Sequence, residues 1–497
     1  MFPSTAETLM TQLLRRSITT AITLSLGVLA ACGGLDDDPC DAGPTAPGCG
    51  SGIAPGDADI SADITTSRTL YKDTTYTLTN FIHVANGATL TIQPGTTLKG
   101  RVGSALFVMR GAKIDARGRE DAPIVFTSDQ AAGSRKPGDW GGLVIIGRGV
   151  INRTGAVLLE GTGSSAENPS IDYAGGADNA DDSGTLQYVR VEFAGFGVAA
   201  NQELNAVTLA GVGSGTTIDH VQTLAGLDDS FEWFGGAVDG KYLVSYASQD
   251  DHFDPSEGYV GRNQYLIAFQ RVLLEPRAGS GVRSGDPQGF EVDGCGSASG
   301  GGCTLGYNST PLNIPMFANF TVIGTGNDAD VLATSGGYGL QLRRGTGGYW
   351  VNGILARWPR AAISLRDAET QARFTAGEAM ISNVSVVETG TTAGTNAPVF
   401  ESGTGRFSLD VAANAIVAEE GTVLTTGVFS GIPAAPTTAT LDFSLVAGAA
   451  ARTGGTGAFT GALLTKGGTF VTGTAYRGAW DPSAPKWWQN WTNYAEN

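Results

Sequence analysis

An acidic phrase recurs in this chain after 22 residues: Asp228-Asp229-Ser230-Phe231-Glu232 is followed by Asp250-Asp251-His252-Phe253-Asp254. Self-similarity at such a period, in a chain of short β-runs broken by Gly, is what stacked coils of a parallel β-helix produce. Equivalent residues on stacked strands lie about 4.8 Å apart. The two phrases therefore predict a column of carboxylates on adjacent coils.

A second periodicity points the same way. Asn319, Asn352, Asn383 and Asn414 each open an apolar run, at spacings of 33, 31 and 31 residues. Stacked Asn side chains can bond each other along a turn, so these four are expected to form a structural ladder. Val189, Ile218, Leu243 and Leu266 give an estimate of the coil register in the preceding part.

Gly contributes 73 of 497 residues, charged residues 16% and hydrophobic residues 41%. That is too apolar for disorder and too interrupted for helices, and a solenoid can grow to this length as one domain because every coil buries its interior against the next. The formal net charge of −17 repels nucleic acid and favours cations or neutral partners. No basic cluster interleaved with aromatics occurs, which sets nucleic-acid binding aside.

Arg15 and Arg16 precede an apolar stretch from Ile18 to Ala31, too short to span a bilayer but suited to a signal peptide. The stretch ends Leu29-Ala30-Ala31-Cys32, which resembles a bacterial lipobox. The resemblance implies that residues 1–31 are removed, that Cys32 carries lipid, and that residues 32–66, rich in Gly, Asp, Pro and Ala, form a flexible tether. The expected location is the outer membrane, anchored through lipid and displayed at the cell surface, with the periplasmic face as the alternative. Of the five cysteines, the four besides Cys32 can pair locally as Cys40–Cys49 and Cys295–Cys303.

From Leu70 onward short strands follow one another, among them Ala88-Thr89-Leu90-Thr91-Ile92, Ala105-Leu106-Phe107-Val108 and Pro123-Ile124-Val125-Phe126, with spacings too tight for helical crossovers. With Gly138-Asp139-Trp140-Gly141-Gly142-Leu143-Val144-Ile145 and Leu186-Gln187-Tyr188-Val189-Arg190-Val191-Glu192-Phe193, this passage resembles exported bacterial lipoproteins of pectate-lyase-like, right-handed parallel β-helix architecture. The resemblance covers residues 67–497 and implies an all-β solenoid of one domain, without implying an activity. Excursions are expected near 161–184 and 275–312. Trp480, Trp487, Trp488 and Trp491 in the 475–497 segment are expected to cap the last open coil.

Two unit charges about 5 Å apart repel by about 3 kcal/mol at an effective dielectric of 20. Asp228, Asp229, Glu232, Asp250, Asp251, Asp254, Glu257 and, after the recurrent Phe290, Glu291 share the strip, so a cation, protonation or backbone donors must relieve it. Calcium suits a set of hard oxygens in flexible geometry; turn acids accepting backbone N–H groups are the competing reading. Three functions stay open. One is a non-enzymatic calcium-binding scaffold for a glycan or an envelope protein. Another is a polysaccharide lyase or glycosidase using Asp229, Asp251, Glu232 and Asp254, with Arg262, Arg283, Arg343 or Arg344 as basic partner. The third is an accessory lipoprotein of an outer-membrane nutrient transporter. Of the histidines His83, His220 and His252, only His252 lies inside the acidic repeat.

Overall fold

Strands pair from coil to coil in parallel. Val189 lies beside Val221, Val221 beside Leu243, Leu243 beside Leu266 and Leu266 beside Phe320. The computed structural model describes residues 56–497, except 167, 200–201, 297–300, 392–397, 420–422, 424–426 and 434–436. Cys32, Cys40 and Cys49 lie outside the described residues. The register expected through Ile218 is corrected: Ile218 pairs with Leu186 and Gly240, on the other arm of the same strand.

The two arms arise because each long strand bends at one residue of left-handed backbone. These residues are Tyr188, His220, Tyr242, Tyr265, Asn319, Asn352, Asn383 and Ala415, with φ between 48° and 66°. Such a conformation costs a non-Gly residue about 1 kcal/mol. Asn tolerates it best; the earlier coils offset it by stacking, with ring centroids 4.3 Å apart from Tyr188 to His220, 4.3 Å to Tyr242 and 5.1 Å to Tyr265. Each such pair contributes about 0.5–1.5 kcal/mol. The Asn periodicity thus marks the bend, but two details are corrected. Ala415 takes the bend in the last coil, while Asn414 donates its side chain to the Asp410 carbonyl at 2.8 Å. The other three do not donate to each other. Asn319 donates to Thr474 Oγ1 at 2.8 Å, Asn352 to the Thr474 carbonyl at 3.3 Å and Asn383 to the Gly454 carbonyl at 2.9 Å.

Those acceptors belong to a C-terminal segment that does not cap the last coil as expected. It runs back along the flank: Trp491 stands edge-on to Tyr188 at 5.8 Å, Gln222 donates to the Asn493 carbonyl at 2.6 Å, and Tyr246 donates to Glu496 at 2.8 Å. The physical reason is the outward row of Leu224, Val244, Ile267, Ile323 and Ile354, an apolar stripe along many coils, which Trp488, Trp491 and Tyr494 bury.

The remaining side of the solenoid is a six-stranded parallel sheet. Its strands are Phe81–Val84, Ala105–Val108, Leu143–Ile146, Val207–Ala210, Phe231–Phe234 and Phe253–Ser256. A bridge from Phe253 to Phe290 continues it into Glu291–Asp293, Tyr338–Arg343 and Ala361–Arg366. No helix among the described residues is long and apolar enough to cross a membrane.

Candidate functional site

The acidic phrases lie on this side of the solenoid. Phe231 pairs with Phe253 and Glu232 with Asp254; since Phe253 bridges to Phe290, Glu291 follows Asp254 in the same column. Side chains alternate across a strand, so the phenylalanines point inward, fully buried, with centroids 5.8 Å and 5.1 Å apart. Burying each ring contributes about 2–3 kcal/mol. This matches the repulsion of an adjacent acid pair, about 3 kcal/mol, so the interior column fixes the register and the acids must accept it.

The acids do not all play one part. A side-chain ladder ties the turns together: Asp229 N–H donates to Asn205 Oδ1 at 3.1 Å, Asp251 N–H to Asp229 Oδ1 at 2.9 Å, Gln288 N–H to Asp251 Oδ1 at 2.5 Å, and Tyr338 N–H to Gln288 Oε1 at 2.9 Å. Glu257 sits apart from the strip's open middle, accepting from the Tyr173 hydroxyl at 2.5 Å and from Arg153 Nη1 at 2.6 Å. Glu291 accepts from Gln341 at 2.8 Å and pairs with Arg343, and Glu232 accepts from Asn205 Nδ2. Asp228 and Asp250 contact each other. Asp250 Oδ1 and Asp254 Oδ1 accept no hydrogen bond among the described residues.

Four overlapping triads result, in each of which the carboxylate oxygens lie within 4.8 Å of one another: Glu160–Glu203–Asp228, Asp228–Asp229–Asp250, Asp229–Glu232–Asp254 and Asp251–Asp254–Glu291. Glu160 and Glu203 were not singled out from the sequence. They arrive from outside the repeat, Glu203 on the hairpin strand Gln202–Glu203 and Glu160 on a segment that folds back over the six-stranded sheet. That segment packs Ile151, Val157, Leu159, Ile171 and Tyr173 on the outward Phe107, Val144 and Ala210. Gly235 makes room for it: its φ is +65°, and a Cβ there would stand 2.6 Å from Ile151 Cγ2. Asp286 and Asp293, also missed, border the strip and share Arg343.

Burial first, then neighbouring carboxylates, pushes Asp229, Glu232, Asp250, Asp251 and Asp254 well above the ordinary carboxylate range. Asp228 rises for the same reasons, with Glu160 and Glu203 as its repelling neighbours. Glu291 is raised to about 8 by burial and Asp293, against the opposing pull of Arg343.

The basic candidates are all engaged. Arg262 pairs with Asp239, Arg283 with Glu275 and Asp330, Arg343 with Asp286, Glu291 and Asp293, and Arg344 with Asp293. The three histidines are dispersed: His83 pairs with Asp63 at 3.0 Å, His220 stands in the aromatic stack, and only His252 borders the acids. Cys295 and Cys303 form a disulfide with Cα atoms 6.0 Å apart. Its loop docks on the segment that folds back over the six-stranded sheet, Thr154 N–H donating to the Gly302 carbonyl at 3.0 Å.

Coils of parallel strands around an aromatic and aliphatic interior, with an acid-lined strip on one side, define a parallel β-helix. The model of the pectate-lyase-like β-helix domain matches residues 62–426, and the chain belongs to that family. No curated protein and no solved structure matches it significantly.

Proposed function

We propose that this protein is a non-enzymatic scaffold that binds calcium along the carboxylate strip and presents that side of the β-helix to a glycan or an envelope protein. The observation that carries the reading is the run of overlapping triads with one oxygen, Asp254 Oδ1, left without a donor among the described residues. A buried, unpaired carboxylate is costly, and a hard cation coordinated by several oxygens relieves that load when it binds. Asp228, Asp229, Glu232, Asp250, Asp251, Asp254 and Glu291 would hold it, while the commitment of Glu257 to Arg153 and Tyr173 takes that acid out of the set. Arg262, Arg283, Arg343 and Arg344 are each held by carboxylates, which favours the scaffold over a lyase needing a free basic partner. Cys32 would anchor the chain in the outer membrane on the cell surface.

The test is calcium titration by calorimetry beside an assay of acidic-polysaccharide turnover. Calcium binding weakened at least tenfold by Asp228→Asn and Asp254→Asn, without turnover, supports the reading. Turnover lost in Asp229→Ala and Asp251→Ala variants that keep their fold replaces it with the enzyme, and co-purification with an outer-membrane transporter replaces it with the accessory role.

A further inference from the structure

Behind the strip lies a cavity whose room for water centres is about 10 Å³, lined by Asp250, His252, Gln270, Leu273, Val331 and Trp358 among others. That is space for one water-sized particle. Three of the lining side chains have a polar atom without any hydrogen-bond partner among the described residues: Asp250 Oδ1, His252 Nε2 and Gln270 Oε1. His252 is 1% exposed and Gln270 4%, so neither atom is satisfied by bulk water.

The surrounding bonds fix what these atoms can do. Ser245 Oγ donates to Ser230 Oγ at 2.6 Å and stands 2.5 Å from His252 Nδ1. With its proton so directed, Ser245 receives the Nδ1–H, and the imidazole lone pair is left on Nε2. Gln270 Nε2 donates to the Val272 carbonyl at 2.7 Å, which turns the amide oxygen toward the cavity side. Asp250 contacts Asp228 and Ser284, and Oδ1 is the oxygen left over. All three free atoms are therefore acceptors, and none bonds another. One water has two protons and satisfies at most two of the three acceptors; a cation is under no such limit. An imidazole nitrogen with a carboxylate and an amide oxygen is a donor set for a divalent first-row transition ion, and the nitrogen disfavours calcium.

We propose that this cavity is a second metal site, distinct from the calcium strip, in which His252 Nε2, Asp250 Oδ1 and Gln270 Oε1 hold one zinc or manganese ion. The inference goes beyond the calcium reading and does not need it, since only Asp250 is shared.

The experiment uses the purified protein, stripped with chelator and then kept in saturating calcium while Zn²⁺ or Mn²⁺ is titrated by calorimetry. The expected result is one equivalent bound per chain, weakened at least tenfold by Gln270→Leu and by His252→Gln, with calcium affinity unchanged in both. The Gln270 variant stands alone if the His252 variant fails to fold. No heat from either ion, undiminished binding in Gln270→Leu, or an ordered water with no metal signal in X-ray fluorescence of crystals soaked in zinc and in manganese would overturn the proposal. Loss of calcium binding with zinc binding intact would instead count against the strip alone.

Discussion

Asp254 belongs to two of the triads, with Asp229 and Glu232 and with Asp251 and Glu291, and its Oδ1 accepts nothing among the described residues. Asp254→Asn removes one charge at nearly constant volume. At the 4.8 Å limit of the triads and an effective dielectric of about 20, each ionised pair repels by about 3 kcal/mol. Because burial and mutual repulsion favour the protonated forms, the relief is a part of this, about 1–2 kcal/mol. Unfolding a chain of 497 residues carries an entropy of about 1 kcal/mol/K, so Asp254→Asn should raise Tm by about 1–2 °C in excess chelator at neutral pH. In calcium the sign reverses. A site filled to about 100 times its Kd stabilises by about 2.7 kcal/mol, and a variant that forfeits this should melt about 1–2 °C below the parent. Differential scanning calorimetry of both proteins in both conditions reads the effect. Equal destabilisation in chelator and calcium would show that Asp254 is held for packing alone, and the cation argument would fail.

Three further outcomes follow from the same geometry. Asp229→Ala strips the acceptor from Asp251 N–H and should cost about 1–3 kcal/mol, whereas Asp229→Asn keeps the acceptor, sheds a charge repelled by its neighbours and should not destabilise; chemical denaturation in chelator separates the two. Since Asp228, Asp250 and Asp254 titrate above their ordinary 3.8 in the folded chain, that chain retains protons the unfolded one has released. Stability in chelator should thus be greatest near pH 4 and decline as pH rises, the Glu291 shift to about 8 prolonging the decline, while calcium flattens the profile. Trp491→Ala, at a site with no exposure, should cost about 3–5 kcal/mol and loosen the C-terminal segment first, seen as faster amide exchange at the Asn493 and Tyr494 positions.

The coil-to-coil placement of Asp229 over Asp251 was legible because one recurrence carried both the register and the inward Phe. The Asn series was legible as a turn, yet its partners were not, since the 454–478 segment is remote in sequence and meets the bends only through folding. For the same reason the Trp-rich segment read as an end cap: aromatic density reports that a surface is covered and not which one. The apolar stripe it covers was hidden because strands buried on both faces lose the alternation that would have marked an outward row. Glu160 and Glu203 fall outside any repeat, one on a segment returning over the sheet and one on a hairpin, so no periodicity could have joined them to Asp228.

The turn ladder separates what the fold requires of the strip from what the proposed calcium reading requires of it. Asn205, Asp229, Asp251 and Gln288 perform one task in four consecutive coils, each offering a side-chain oxygen to the next backbone N–H. An amide serves at both ends of the run, so the bond does not require a carboxylate. The two middle coils nevertheless use Asp, and set Asp228 and Asp250 beside them, at the cost of mutual repulsion that amides would avoid. Stability alone favours Asn at both positions. On the calcium reading proposed above, the double variant Asp229→Asn with Asp251→Asn is expected to fold, to melt higher than the parent in chelator, and to gain nothing from calcium.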